Sequence, residues 1–243
     1  MRTNSDLILL DAGNTHLKVA HVLNGEIFDI DRMTFGDKPL LENYFQAVKH
    51  IPKALTSVLS KEQTLTILSI TENCKVLDRD STLPITLDYS TPETLGFDRI
   101  CNASALSVLS KTKNTVSIDI GTCIKFDFVQ SKIYKGGSIS PGIRLRYKSL
   151  NDYTANLPLL TDLNSTDLIG KSTTSSIHSG VINGIQAEIS GMIQRFEQEF
   201  NDLTFFVTGG DAQYFDFVGK NNIFANENLT LKGLYEIYQL NAQ

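Results

Sequence analysis

A chain of 243 residues, 41% hydrophobic and 20% charged, is long enough for one large or two modest globular domains. Its net charge of −5, with no long basic run, argues against non-specific nucleic-acid binding as the main role. The three cysteines (Cys74, Cys101, Cys123) and the four histidines (His16, His21, His50, His178) are scattered, which argues against a disulfide framework or a zinc site and points to a reducing cytoplasm.

The first apolar run, Leu7 to Leu10, is too short for a signal peptide or a membrane span. It ends in a carboxylate, Asp11, followed by Ala12, Gly13, Asn14 and Thr15 and then by an alternating stretch through Lys18 to Val22. This pattern predicts a β-hairpin with a glycine-bearing bend. Amide groups at such a bend form an anion-binding nest, and a carboxylate at the strand end suits a hydrated divalent cation. A plain hairpin with an Asn-Thr turn accounts for the stretch equally well. Beyond it, the pattern predicts a third strand over 27–35, a helix over 39–50 and a buried strand over 54–59. Residues 61–73 are ambiguous, and 83–89 read as a short strand. A loop over 91–98 leads into a helix that starts at Asp98 or Arg99 and runs to Leu109. Gly96-Phe97-Asp98-Arg99 sits at that junction. Asp98 reads either as a helix cap or as a general base toward a substrate hydroxyl, and Arg99 as a surface charge or an anchor for an anionic group. A carboxylate is a weak base for an alcohol, but that suffices where phosphoryl transfer is loose and positioning dominates.

The second half repeats the opening theme. An apolar strand ends in Asp119, a bend carries Gly121, Thr122 and Cys123, and an alternating strand follows over 125–130. Two such hairpins predict a duplicated domain, residues 1–112 and 113–243, with the bends facing each other across a cleft and gripping one polyphosphate. A strand over 132–139 runs into Ser140-Pro141-Gly142, then a helix over 143–150 and a long loop to 169. The longest helix is expected over 172–200, where Ile177, Val181, Ile185, Ile189 and Ile193 recur at helical spacing. A strand over 203–207 opens into Thr208-Gly209-Gly210, where absent side chains leave room for an adenine or ribose. Helices over 211–218 and 231–240 close the chain.

In order and spacing these motifs resemble type III pantothenate kinase, a family of the acetate and sugar kinase/Hsp70/actin superfamily. Asp11 to Lys18 resembles its first phosphate motif, Gly96 to Arg99 its G-x-D-R substrate motif, and Asp119 to Thr122 its second phosphate motif. Gly136-Gly137 through Pro141-Gly142, Gly170 to Thr173, and Thr208 to Gly210 are similar to three further segments. The resemblance implies an α/β fold of duplicated actin-like (ribonuclease H-like) domains, each a mixed sheet flanked by helices. It implies ATP-dependent phosphorylation of pantothenate to 4′-phosphopantothenate, the first step of coenzyme A biosynthesis, by a cytoplasmic homodimer with no nucleic-acid or membrane partner. Asp98 would be the proton acceptor. Tyr89, Gly96, Phe97, Asp98 and Arg99 would contact pantothenate, with Thr173 supplied by the partner subunit. Asp11, Ala12, Gly13, Asn14, Thr15, His16, Leu17, Lys18 and Thr122 would hold ATP. Asp11 would sit near Mg²⁺, through water, and Asp119 would bind a monovalent cation, K⁺ or NH₄⁺. The chain departs from the family's D-[FV]-G-T-A-T-T at Cys123, Ile124 and Lys125, while Asp127 matches a family aspartate. A non-catalytic relative like the Bvg accessory factor and another superfamily ATPase or phosphatase are the alternatives.

Overall fold

The computed structural model describes residues 6–162, 167–217 and 221–242. The chain divides into two compact units, one of Met1–Leu109, Lys132–Tyr134 and Asn228–Gln243, the other of Ser110–Ser131 and Lys135–Glu227.

The first unit opens with β1 (Leu7–Ala12), β2 (Leu17–Leu23) and β3 (Glu26–Met33), followed by α1 (Lys38–Ala47), β4 (Lys53–Ser57), α2 (Lys61–Ile70) and β5 (Cys74–Val76). The sheet order is β3-β2-β1-β4-β5, with β1 antiparallel to β2 and parallel to β4. β1 is central and covered on both faces, so its apolar residues run continuously instead of alternating. On one side Leu41 and Phe45 of α1 and Ile67 of α2 join Ile8, Leu10 and Leu55 in a buried core. Further along the chain come β6 (Thr86–Leu87) and α3 (Phe97–Leu109). On the sheet, α3 packs against β4, and the C-terminal helix packs against β1, β4 and α3.

Residues 61–73, ambiguous by periodicity, form α2 because of their cap. The Ser60 side chain accepts from the Gln63 amide while the Gln63 side chain accepts from the Ser60 amide. The strand expected over 83–89 shrinks to the two residues of β6, which pair with Ile133 and Tyr134.

The second unit is built from β7 (Asn114–Ile120), β8 (Cys123–Gln130), β9 (Ile133–Pro141), α4 (Ile143–Asp152), α5 (Thr173–Glu199), β10 (Leu203–Thr208) and β11 (Ile223–Ala225). α6 (Leu229–Asn241) is the C-terminal helix and belongs to the first unit. The order β11-β10-β7-β8-β9 mirrors the first sheet, with an antiparallel hairpin flanked by a parallel strand beside its first arm. Ile177, Val181, Ile185, Ile189 and Ile193 form the buried stripe of α5 against this sheet.

The helix expected over 211–218 is absent as far as residue 217; residue 218 lies outside the described residues. Only a single 3-10 turn forms, Ala212–Tyr214. The Asp211 amide donates to the Ile120 carbonyl, its carboxylate is gripped by Arg144, and Phe215 turns extended to enter the core. These tertiary ties outweigh local helix propensity.

Candidate active site

In the first unit the β1–β2 register sets Asp11 opposite Lys18 and Ala12 opposite Leu17. Cross-strand partners share a face, so Asp11 and Lys18 carry opposite charge on one side of the hairpin. The bend closes through the Gly13 amide, which donates to the His16 carbonyl at 3.1 Å. Asn14, Thr15 and His16 are exposed, Ala12 and Leu17 are buried, and Asp11, Gly13 and Lys18 lie between these extremes. A side chain at Gly13 would meet nothing closer than the His16 carbonyl, at ordinary van der Waals distance. Among the described residues no atom but the His16 carbonyl stands within 4 Å of that position, which leaves this side of the backbone open to a ligand.

The junction into α3 is tighter. Asp98 lies in the helix's first turn, where a negative charge suits the helix dipole, and its Oδ1 accepts from the Arg99 amide at 2.9 Å. A Cβ at Gly96 would stand 2.6 Å from that same oxygen. Glycine two positions before the aspartate is therefore what allows the carboxylate its direction. One turn later is Cys101, fully buried. Burial pushes its thiol well above the ordinary cysteine range, and the Asp11 and Asp98 carboxylates raise it further.

Arg99 is not a surface charge. It is 5% exposed, with its guanidinium carbon 5.9 Å from the centre of the Tyr134 ring. Tyr134 in turn lies 5.7 Å, centroid to centroid, from Tyr89. β6 makes this cluster: the Asp88 amide donates to the Tyr134 carbonyl, which seats Tyr134 beside residues far away in sequence. The sequence reading includes Tyr89, Phe97 and Arg99 but misses Tyr134, because no local pattern announces a contact made by a two-residue strand. Phe97 is buried at the start of α3.

In the second unit the equivalent bend is Gly121-Thr122, closed by the Gly121 amide donating to the Cys123 carbonyl. Gly142 and Gly209 brace it. A Cβ on Gly142 would lie 2.0 Å from the Gly121 carbonyl, and one on Gly209, whose φ is +97°, would lie 2.2 Å from the Ile120 carbonyl. These motif glycines exist so that two segments can press onto the bend. The Cβ direction at Gly209 is taken by the Ile120 backbone, while Gly210 is exposed. Thr122 is exposed and Gly121 has open space where its side chain would be. Asp119, for which the resemblance implies a monovalent cation, is ion-paired with Lys125 at 2.8 Å. Thr173 is exposed in the first turn of α5, after a capping box of Ser172 and Ser175.

The family profile described as type III pantothenate kinase matches residues 7–195. A type III pantothenate kinase of Christiangramia forsetii is 40% identical over 240 residues, covering 96% of this chain and 98% of its own. Another, of Flavobacterium johnsoniae, is 36% identical over 239 residues, covering 96% and 97%. Among solved structures, a Campylobacter jejuni protein described as a Baf family transcriptional activator superposes with a TM-score of 0.64 at 21% identity, covering 97% of this chain and 98% of its own. A Listeria monocytogenes protein described as an N-acetylmannosamine kinase gives a TM-score of 0.50 at 12% identity, covering 98% and 99%. At these identities the two structures share the fold alone.

Proposed function

Because the chain belongs to the type III pantothenate kinase family, we propose that Asp98 is the residue through which it carries out that family's reaction. The enzyme phosphorylates pantothenate with ATP to give 4′-phosphopantothenate, opening coenzyme A biosynthesis. One observation supports the assignment above the others: a Cβ at Gly96 would stand 2.6 Å from Asp98 Oδ1, so the motif's glycine is what leaves the carboxylate its place in the first turn of α3.

In this reading Asp98 accepts a hydrogen bond from the primary hydroxyl of pantothenate and orients it for in-line attack. It takes the proton late, as the bond to the phosphorus forms. In the first unit the exposed bend Asn14-Thr15-His16 and Lys18 contact the phosphates of ATP, and in the second unit the exposed Thr122 is a phosphate contact of its own bend. Asp11 fits a hydrated Mg²⁺: it is a half-buried carboxylate at the mouth of an open bend, and hard cations prefer such oxygen ligands. When bound, that ion neutralises charge on the phosphates and offsets repulsion between them and Asp11. Arg99, held against Tyr134, faces the pantothenate carboxylate, and Tyr89 and Phe97 line the same pocket. Thr173 completes that pocket from a second subunit of a homodimer. Among the described residues no helix is long and apolar enough to cross a membrane, and we place the enzyme in the cytoplasm.

The test is ADP release by the purified protein with ATP and Mg²⁺ in potassium buffer, with and without pantothenate. Turnover is expected only with pantothenate. Asp98→Asn should lower kcat at least about 100-fold with an unchanged melting temperature. Hydrolysis of ATP that ignores pantothenate, or an Asp98→Asn variant as fast as the wild type, would overturn the assignment.

A further inference from the structure

The monovalent cation implied at Asp119 does not fit the residues around it. Lys125 Nζ lies 2.8 Å from Asp119 Oδ2, and the two side chains are only 16% and 15% exposed. The pairing does not depend on a chance rotamer, because the β7–β8 register sets Asp119 directly opposite Lys125 and puts both side chains on one face. Ile124 and Phe126, the neighbours of Lys125 along β8, point the other way into the core of the unit. An ammonium and a potassium ion carry the same charge, and a second cation brought to the same carboxylate would meet repulsion from the first.

In the first unit the same register sets Asp11 opposite Lys18. The strand that runs parallel to each first arm sets a threonine beside each aspartate, Thr56 beside Asp11 and Thr208 beside Asp119. With Lys125, the second unit carries the same Asp, Lys and Thr as the first. The family's threonine at the position of Lys125 has no charge to place there. Asp127, fully buried on the same strand and two residues further on, lies on the same face of the sheet as Lys125.

We propose that Lys125 is a tethered cation: its ammonium neutralises Asp119 in place of free K⁺ or NH₄⁺, so that nucleotide binding and turnover do not depend on monovalent salt. Lys125 acts through Asp119 and is a positioning residue. The inference rests on the pantothenate kinase reading for its turnover assay and stands without it for nucleotide binding.

Pantothenate-dependent ADP release is measured in choline chloride, NaCl, KCl and NH₄Cl at equal ionic strength. The wild type should vary by less than about twofold among the four salts. Lys125→Thr should lose at least about tenfold in choline chloride and regain it in KCl or NH₄Cl, a rescue that a merely structural role would not give. Activation of the wild type by about tenfold or more in KCl would overturn the proposal, as would a Lys125→Thr variant as active as wild type in choline chloride. Should no salt support turnover, the kinase reading fails, and the rise in melting temperature with Mg·ATP decides the tethered cation separately. That rise should be equal in choline chloride and KCl for the wild type, and confined to KCl for Lys125→Thr. A wild-type rise confined to KCl would overturn the proposal on its own, whether or not the variant folds.

Discussion

At the scale of single residues, the site is governed by what glycine permits. Gly96 leaves 2.6 Å between its missing Cβ and Asp98 Oδ1, closer than real Cβ atoms approach. Gly96→Ala must therefore push the carboxylate aside, which is easy for a flexible side chain and costs little stability. The expected outcome is a kcat lowered by about 10- to 100-fold with a melting temperature within a few degrees of wild type, read by steady-state kinetics and thermal denaturation. A loss confined to KM would instead assign Gly96 to substrate contact alone. This corner also shows how far sequence reaches. Asp98 is legible as a chemical group, because an acid at a loop-to-helix junction invites either a cap or a base. In the structure it lies inside the first turn of α3, and its Oδ1 accepts from the adjacent Arg99 amide. Whether Arg99 is exposed or buried is not legible, since its ring partner Tyr134 arrives by a distant pairing.

At the scale of elements, long periodic segments are read correctly and short ones are not. The buried stripe of α5 and the alternation of β8 are local signals, so both elements match expectation to within a few residues. β5 and β11 are three residues long and exist only through pairing with a longer neighbour, so no sequence pattern marks them, while the strand read over 83–89 keeps only the two residues of β6. α6 is legible as a helix, but its membership of the first unit is set by packing. Gly233 carries that packing: a Cβ there would stand 1.7 Å from the Cys101 carbonyl of α3, so the two backbones nearly touch. Backbone cannot yield as a side-chain tip can. Gly233→Ala should destabilise by roughly 1–3 kcal/mol, since it overpacks a close helix crossing. That corresponds to a melting temperature lower by about 3–10 °C. Ala at Gly180, which meets no atom within 4 Å, is the control and should leave the melting temperature unchanged or slightly raised. If both variants melt alike, the close approach of α3 and α6 is not the constraint described.

At the scale of the whole molecule, duplication is the organising fact. Both sheets place an antiparallel hairpin beside a parallel strand, and both put an aspartate at the end of the first arm. The chain repeats the fold without repeating most of its sequence, so the two aspartate bends are legible while the matching of threonines across parallel strands is not. Each unit also buries protons that must stay bound. In the first, burial raises the thiols of Cys101 and Cys74 and the Tyr44 hydroxyl, the last raised further by Asp31; in the second, burial raises the Tyr147 hydroxyl. A group whose pKa is raised by folding contributes no penalty below its unfolded pKa and costs stability as pH climbs above it. For a cysteine that threshold is about 8.5, and the tyrosines follow near 10. Lys53, whose pKa burial lowers, works in the opposite direction at higher pH. Stability should therefore hold from neutral pH to about 8.5 and then fall. Cys101 contributes to the fall, because the unfolded thiol ionises there while burial keeps the folded one protonated. Urea unfolding at pH 7.5, 8.5 and 9.5 measures the fall in the wild type, and Cys101→Ala, although less stable throughout, should lose less between the last two. Equal losses in the two proteins would mean that Cys101 ionises as readily folded as unfolded.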